Sequence, residues 1–471
     1  MPEPDLLAID RGTITAPAGC GKTHLIAQAL TRHGGAKPIL VLTHTNAGVA
    51  ALRMRLDKAG VPAAHYRLST IDGWCIRLLT LFPMRGAYHP DILKLTDPRS
   101  DYPAIRIAAA QLLGDGHIND VLAATYDRVI VDEYQDCSQI QHAIVYAAAQ
   151  CLRCCVLGDP MQAIFGFQGN ALADWKTEVC AHFPIAAELS TPWRWINAGE
   201  AAYGNYLLEI RRALIAGEGL DLGTVPRNIS WVRLDGVNDH NLRLEAGGTR
   251  CAADEKVLII ADSRNTAGQR QFASQVPGAV TAENVDMRDL VAFGESFDLS
   301  DRDLVDHVIN FASSVMTNIG PANLLKRLET LKAGRARTPP SPVEIAALAL
   351  SSERSYPAAA RVLSEMSREQ GVRTHRPAIL RGALRMLKNC GDDATLAPAD
   401  AAVQERERSR LIGRPLAGRT VGSTLLLKGL EADVAVILEP GDMDRQHLYV
   451  AITRGAKRLV ICSRLQFLSP R

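Results

Sequence analysis

The chain of 471 residues has no long hydrophobic run. No stretch approaches the 18 or more apolar residues of a membrane span, and the start, MPEPDLLAIDR, lacks an apolar segment of signal-peptide length. These absences predict a cytoplasmic protein without a membrane partner. Ten cysteines in such a chain indicate free thiols instead of a disulfide framework. Cys151, Cys154 and Cys155 have no second ligand pair nearby, which favours core packing over zinc.

The chain is also short of net charge, at +2 with 53 basic and 51 acidic residues. A nucleic-acid-binding protein of this composition must concentrate its positive charge in a groove, because its average surface is not strongly basic. Low-complexity tracts are missing as well. The hydrophobic fraction of 47% and the charged fraction of 22% are usual for globular proteins. The length predicts two to four domains.

The most distinctive stretch is Thr13 to Thr23, TITAPAGCGKT, in which a β-branched run leads into a loop of small residues. Such a loop turns backbone N–H groups toward an anion, and the following helix adds its positive end. Lys22 is expected to reach the β- and γ-phosphates and the Thr23 hydroxyl to bind Mg²⁺. The predicted phosphate cradle consists of Ala16, Pro17, Ala18, Gly19, Cys20, Gly21, Lys22 and Thr23. The alternative is an ordinary strand-to-helix turn, which rarely carries Gly-x-Gly-Lys-Thr.

A second stretch, Tyr126 to Gln139, places two acids after the β-branched residues 129–131. In a phosphate-cleaving site Asp132 would hold Mg²⁺, and Glu133 would orient or deprotonate the attacking water. Two acids after a strand also cap helices, so that interpretation stays open for this stretch alone. The helix-cap interpretation is weaker in this chain, because the two acids follow a predicted phosphate cradle.

The remaining periodicity alternates apolar strands with helices. Strands are predicted at Pro38–Thr43, Val129–Val131, Cys154–Leu157 and Val257–Ala261, and helices at Thr23–Arg32 and about Ala47–Ala59. Continuous apolar runs of this kind are typical of parallel strands that are buried on both faces. The predicted fold class is therefore α/β, with parallel sheets between helices.

Six segments appear in a fixed order: APAGCGKT, VIVDEYQD, GDPMQAIFGF, LSTPWRW, VGSTLLLKGLEADVAVIL and HLYVAITRGA. This order resembles the UvrD/Rep-like superfamily 1 helicases, which are ATP-driven DNA translocases. The resemblance implies two RecA-like P-loop domains with small helical insertions. The expected boundaries are 1–186 with an insertion at about 80–125 for the first domain, 187–281 and 413–471 for the second, and 282–412 for a helical accessory insertion.

The resemblance also implies roles for individual residues, with ATP and Mg²⁺ as cofactors. Gln162 would sense the γ-phosphate, Glu431 would contact the ribose, and Arg194 and Arg454 would be cationic fingers, since phosphoryl transfer concentrates negative charge that a planar guanidinium matches. Family positions that touch single-stranded DNA correspond here to His44, Thr45, Phe165, Phe167 and Ser423. Either phenylalanine is open to the alternative of a core residue.

Several residues depart from the family pattern. Residues 1–15 contain no Gln to read adenine, which puts the preference for ATP in question. Leu425 stands where the family has a His, while Ile71 and Asp72 replace a Phe and a His, so the coupling of hydrolysis to movement is open to alteration.

Two functions follow from this pattern. The first is DNA-stimulated ATP hydrolysis coupled to movement on single-stranded DNA, with the 3′ to 5′ polarity that the resemblance implies. The second is a nucleotide-gated DNA-sensing subunit that regulates a partner nuclease without processive unwinding. The short insertions resemble the small helicase-like subunit of the Gabija antiphage system, whose partner is an ATPase-nuclease. A scaffold with a degenerate site is disfavoured, because no expected hydrolytic residue is missing.

Overall fold

The computed structural model describes residues 3–166, 171–412 and 416–470. Fourteen strands are found in these ranges. In chain order they are β1 Arg11–Thr15, β2 Ile39–Thr43, β3 Tyr66–Thr70, β4 Arg128–Val131, β5 Arg153–Gly158, β6 Ile185–Glu188, β7 Leu220–Asp221, β8 Ile229–Arg233, β9 Val257–Ile260, β10 Ala279–Thr281, β11 Arg419–Gly422, β12 Ala432–Ile437, β13 Gly455–Ser463 and β14 Phe467–Leu468.

Twenty α-helices are found in the same described ranges. They are α1 Lys22–Arg32, α2 Asn46–Lys58, α3 Ile71–Leu81, α4 Pro98–Gly114, α5 Asn119–Thr125, α6 Gln139–Ala148, α7 Cys180–His182, α8 Trp193–Asn197, α9 Ala201–Ala216, α10 Asp239–Gly247, α11 Thr266–Gln275, α12 Arg288–Ser296, α13 Leu304–Val315, α14 Pro321–Lys332, α15 Pro342–Glu353, α16 Tyr356–Arg368, α17 Pro377–Asp392, α18 Pro398–Ile412, α19 Thr424–Leu427 and α20 Arg445–Ile452.

The chain divides into two compact units. The first comprises 1–228, 441–457 and 466–471, and the second comprises 229–440 and 458–465. In the first unit, six parallel strands form one sheet in the order β3-β2-β4-β5-β1-β6. Apolar cores cover both faces of this sheet, which is why β2 and β4 are buried at every position. Since parallel strands share a direction, the loops after β1 and β4 emerge at the same edge.

The second unit has its own six-stranded sheet, in the order β10-β11-β9-β12-β13-β8. Its paired strands around β9 are parallel. From α12 to α18 this unit is helical, and these helices enclose a separate apolar core that includes Leu290, Val308 and Met386.

These two largely parallel sheets between helices confirm the predicted α/β class with two RecA-like domains. The predicted strands and helices lie within one or two residues of the observed ones. Cys154 and Cys155 pack into the cores on opposite faces of β5, as the core-packing interpretation expected. The domain boundaries stay predictions; the compact units divide the chain elsewhere, and β6, which spans the expected boundary at 186, pairs with β1.

Candidate active site

The predicted phosphate cradle forms the loop between β1 and α1 in the first unit. Gly19 and Gly21 adopt positive φ angles of 70° and 88°, which glycine tolerates best. Close packing also demands glycine at both positions. A Cβ on Gly19 would lie 2.6 Å from the Trp195 ring, and one on Gly21 would lie 2.8 Å from Trp193. The glycines of the loop are therefore fixed both by backbone conformation and by these two aromatic neighbours.

Lys22 begins α1 and meets both acids that follow β4. Its Nζ lies 2.5 Å from Glu133 Oε1 and 3.2 Å from Asp132 Oδ1. Burial alone would lower the pKa of Lys22, but the two carboxylates outweigh it and raise that pKa. For Asp132, burial raises the pKa although Lys22 opposes the shift. The structure thus brings Lys22 into contact with two acids that lie at least 110 residues away from it along the chain, as the phosphate-site interpretation requires.

Glu133 is held in an uncommon conformation. Its φ and ψ of 55° and 40° are left-handed, a region that costs a non-glycine residue about 1–2 kcal/mol. Besides Lys22, its carboxylate accepts a hydrogen bond of 2.6 Å from Gln135 Nε2. Strained backbone of this kind concentrates at functional positions. Glu133 precedes the 3₁₀ turn Tyr134–Asp136, but its side chain makes no capping hydrogen bond there, and the next α-helix, α6, is capped by Ser138.

Gln162 lies in a short 3₁₀ turn after β5 and joins a buried network that the sequence did not reveal. Its Nε2 donates to Asp159 Oδ2 at 3.2 Å. Arg211 of α9 donates to Asp159 Oδ1 at 2.8 and 3.2 Å, and both side chains are buried. Gln135, the partner of Glu133, also accepts the backbone N–H of Asp159. Hydrogen bonds therefore connect the Glu133 carboxylate to the Gln162 turn.

Both candidate arginine fingers belong to the first unit, and Arg194 contacts the phosphate loop. The backbone N–H of Arg194 donates to Gly19 O at 3.0 Å, and its Nη1 donates to Thr453 O at 2.5 Å. Arg454, the next residue, is buried and donates to Val450 O. Tyr449 of α20 supplies a contact that the sequence had not suggested, since its hydroxyl accepts the N–H of Ala18 at 3.1 Å. The segments around residues 194 and 454 thus reach the loop itself.

Thr23, the expected Mg²⁺ ligand, accepts a hydrogen bond of 2.8 Å from Arg55 Nη1. A hydroxyl oxygen and the Asp132 carboxylate are hard donors of the type that Mg²⁺ prefers, so the residues present fit this ion. Binding at Thr23 would have to displace or share the Arg55 contact. Arg55 is therefore a further residue of the candidate site, and its position in α2 did not indicate this contact in the sequence.

Two of the expected DNA-contacting residues lie side by side. The rings of His44 and Phe165 are 6.0 Å apart between centroids and tilted by 34°, and both side chains are partly exposed. Thr45 is exposed, but its hydroxyl caps α2 by accepting the N–H of Gly48. Phe167 lies outside the described residues.

The two remaining candidates, Ser423 and Glu431, belong to the second unit. Ser423 is buried and caps α19 through the N–H of Leu426. Glu431 is exposed just before β12. Their expected roles stay predictions.

The departures at residues 71 and 72 have a structural reason. Ile71 packs into the core of the first unit, and Asp72 forms a two-pronged ion pair with Arg106 of α4 at 2.6 and 2.7 Å. Gln141 donates to the same carboxylate. The acid at position 72 therefore anchors the small insertion.

A loop after β1, a lysine at the start of α1 and two acids after β4 are the layout of a P-loop nucleotide-binding protein. Residues 93–175 match the family model of the UvrD/REP helicase N-terminal domain. One component of the ATP-dependent helicase/nuclease of Leuconostoc mesenteroides is 29% identical over 68 residues, which cover 14% of this chain and 6% of that protein. A solved complex of the Arterivirus nonstructural protein 10 (helicase) with DNA matches at 10% identity and a TM-score of 0.35, over 96% of this chain and 61% of that one.

This chain thus spans a small part of the curated relative and less than two thirds of the solved structure. Over residues 93–175 the chain is thus similar to a helicase N-terminal domain, and the relative's name also describes a helicase. Within residues 3–166, 171–412 and 416–470, no helix has both the length and the apolar character needed to cross a membrane.

Proposed function

We propose that this chain is an ATP-dependent superfamily 1 helicase or translocase that couples ATP hydrolysis to movement along single-stranded DNA, 3′ to 5′. The observation that carries the proposal is the contact of Lys22 with Asp132 and Glu133 at the sheet edge from which the phosphate loop emerges. Lys22 is partly buried, and its ammonium group can exchange these acidic partners for phosphate oxygens.

In this proposal each group has one task. Thr23 and Asp132 hold Mg²⁺, and Lys22 turns to the nucleotide phosphates. Glu133, released from Lys22, orients or deprotonates the attacking water, while Gln135 keeps its second oxygen in place. Gln162 senses the γ-phosphate, and Arg194 and Arg454 stabilise charge that develops on the transferring group. A bound Mg²⁺ would neutralise part of the negative charge of the nucleotide phosphates.

The DNA contact is assigned to the pair His44 and Phe165. Both rings are partly exposed, and an exposed aromatic pair offers flat surfaces on which unpaired bases stack without sequence preference. Phe165 follows the Gln162 turn by three residues, so strand binding and γ-phosphate sensing would share one short segment.

The first experiment measures ATP turnover of the full chain with and without single-stranded DNA. We expect DNA to stimulate turnover, and Lys22→Ala and Glu133→Gln each to lower kcat at least about 100-fold, the usual contribution of one positioned group. Lys58→Ala, which changes an exposed lysine at the end of α2, is the matched control. Unchanged turnover in both site variants would refute the assigned site.

The same assay tests the strand contact. We expect Phe165→Ala to raise the DNA concentration for half-maximal stimulation about fivefold to 100-fold, because one base-stacking contact contributes about 1–3 kcal/mol. Phe467→Ala removes an exposed ring elsewhere in the first unit and should leave that concentration unchanged. Equal effects of the two substitutions would argue against base stacking at Phe165.

A second candidate is a DNA-sensing subunit that regulates a nuclease partner of the Gabija type. The observation that favours it is the small size of the insertion before β4, whose α-helices are α4 and α5. A strand-displacement assay on a long duplex separates the two proposals. Displacement without a partner supports the motor, whereas DNA-stimulated turnover without displacement supports the sensor.

A further inference from the structure

A cavity lies on the first unit, away from the loops that follow β1 and β4. It measures about 260 Å³ and is lined by residues of β2, β3, α2 and α3 and by Tyr126, which precedes β4. Lys22, Asp132 and Glu133 are not among the residues that line it. The cavity is therefore separate from the candidate active site.

Three arginines surround this cavity: Arg53, Arg67 and Arg77. All three are exposed, and none of the described residues that line the cavity is acidic. Arg67 donates to two backbone carbonyls, whereas Arg53 and Arg77 make no ion pair or hydrogen bond with the described part of the chain. Like charges that converge without an acid repel one another, and an anion between them would remove that repulsion.

The inner wall has a different character. Tyr66, Trp74 and Tyr126 are aromatic and buried, with exposures of 8, 1 and 7%. The indole Nε1 of Trp74 is a buried donor that has no acceptor among the described residues. The nitrogen itself has almost no accessible surface, so Trp74 contributes its ring and not this donor to the cavity wall.

We propose that this basic cavity binds a 5′-phosphorylated nucleotide, with the phosphate between Arg53, Arg67 and Arg77 and the base against the aromatic wall. The ligand combines a phosphate monoester with a planar ring that carries acceptor atoms. It comes either from a free mononucleotide or from the 5′-phosphorylated end of a DNA strand. This assignment does not rest on the function proposed above.

The test is calorimetric titration of the full chain, and of its Lys22→Ala variant, with thymidine 5′-monophosphate in the presence of Mg²⁺ and without any other nucleotide. We expect one saturable site, at which thymidine and inorganic phosphate each bind at least about tenfold more weakly. The variant with both Arg53→Gln and Arg77→Gln should weaken binding at least about tenfold. A control with Arg32→Gln and Arg99→Gln, two exposed arginines that do not line the cavity, should bind like the parent.

Trp74→Phe keeps a buried ring and removes only a donor that the cavity does not reach, so we expect the affinity to stay within about twofold of that of the parent. Lys22→Ala should leave this affinity unchanged, so failure of the proposed ATPase site would not be mistaken for failure here. A ten-nucleotide oligothymidylate with a 5′-phosphate, compared with its 5′-hydroxyl form, identifies the source. A preference for the phosphorylated strand that the double arginine variant loses assigns a strand end, and binding of the monophosphate alone assigns a free nucleotide.

Three results would overturn the proposal. The first is the absence of saturable binding for both the monophosphate and the phosphorylated strand. The second is equal affinity of the parent and the double arginine variant, because the cavity would then not be the site. Binding of inorganic phosphate as tightly as the monophosphate would likewise reject the nucleotide assignment.

Discussion

In each compact unit a cluster brings one basic residue into contact with two acids, and the clusters around Lys22 and Arg376 differ in kind. In the first unit, Lys22 contacts Asp132 and Glu133 through one small ammonium group. In the second unit, Arg376 holds Glu283 with two parallel hydrogen bonds of 2.7 and 2.8 Å and also reaches Asp289. Arg376 is 2% exposed.

The difference lies in how many bonds an incoming ligand would have to break. A guanidinium fork matched to a carboxylate has a fixed geometry and few donors to spare, whereas an ammonium group on a flexible stem can change partners. Glu133 adds backbone strain to the first cluster. Burial of opposite charges alone therefore does not mark an active site. We interpret the Arg376 cluster as structural and the Lys22 cluster as exchangeable.

Reciprocal substitution of the two cations has the largest expected effect. Lys22→Arg leaves both acids a cation, so the free energy of unfolding should stay within about 1 kcal/mol, but the bulkier fork should lower ATP turnover at least about 100-fold. Arg376→Lys should retain turnover and lose on the order of 2 kcal/mol of stability, because charged hydrogen bonds disappear. Denaturant unfolding and steady-state turnover measure the two effects.

Lys326→Arg, on α14 of the second unit, controls for a lysine-to-arginine change as such. If Arg376→Lys abolished turnover with stability intact, or Lys22→Arg unfolded the protein with turnover intact, the distinction between the clusters would be wrong.

The sequence sufficed for the Lys22 cluster because each member is marked by its neighbours along the chain. Lys22 follows a glycine loop, and Asp132 and Glu133 follow a β-branched strand. The parallel sheet then brings both loops to one edge, which the periodicity alone predicts. The prediction for His44 and Phe165 came instead from the family resemblance, and their rings lie 6.0 Å apart between centroids.

The supporting contacts could not be predicted in this way. Arg211 lies 52 residues from Asp159 and Tyr449 lies 431 residues from Ala18. An arginine in the middle of a helix looks like any solvated charge, and only the fold shows that Arg211 is buried against an acid. The Arg53, Arg67 and Arg77 cluster escaped notice for the same reason, since its members come from three separate elements.

A pH titration sharpens the comparison further at His375, next to Arg376. Burial, assisted by Arg376, Arg373 and Arg270, lowers the pKa of His375 from its usual 6.5 to about 4. Between these values the unfolded chain binds a proton that the folded protein does not, so stability falls as the pH falls. We expect His375 to account for a loss of about 2 kcal/mol between pH 8 and pH 5.

Denaturant unfolding at several pH values, compared between the parent and His375→Gln, isolates this contribution because the other titrating groups are shared. His240→Gln, at an exposed histidine of the same unit, should leave the pH dependence unchanged. If the parent and the His375→Gln variant had parallel pH profiles, folding would not lower the pKa of His375, and this prediction would be wrong.

The smallest expected effect tests the strain in the first cluster. Glu133→Gly and Glu133→Ala both remove the carboxylate, so they lose the same contacts with Lys22 and Gln135 and differ only in backbone preference. Because residue 133 is left-handed, we expect the glycine variant to be the more stable by about 1 kcal/mol, measured by denaturant unfolding. Glu245 is an exposed position in α10 and serves as the control. There we expect Glu245→Ala to be more stable than Glu245→Gly by about 1 kcal/mol, because alanine favours a helix. Alanine more stable than glycine at both positions would mean that Glu133 stores no strain, and the first cluster would then differ from the second by its cation alone.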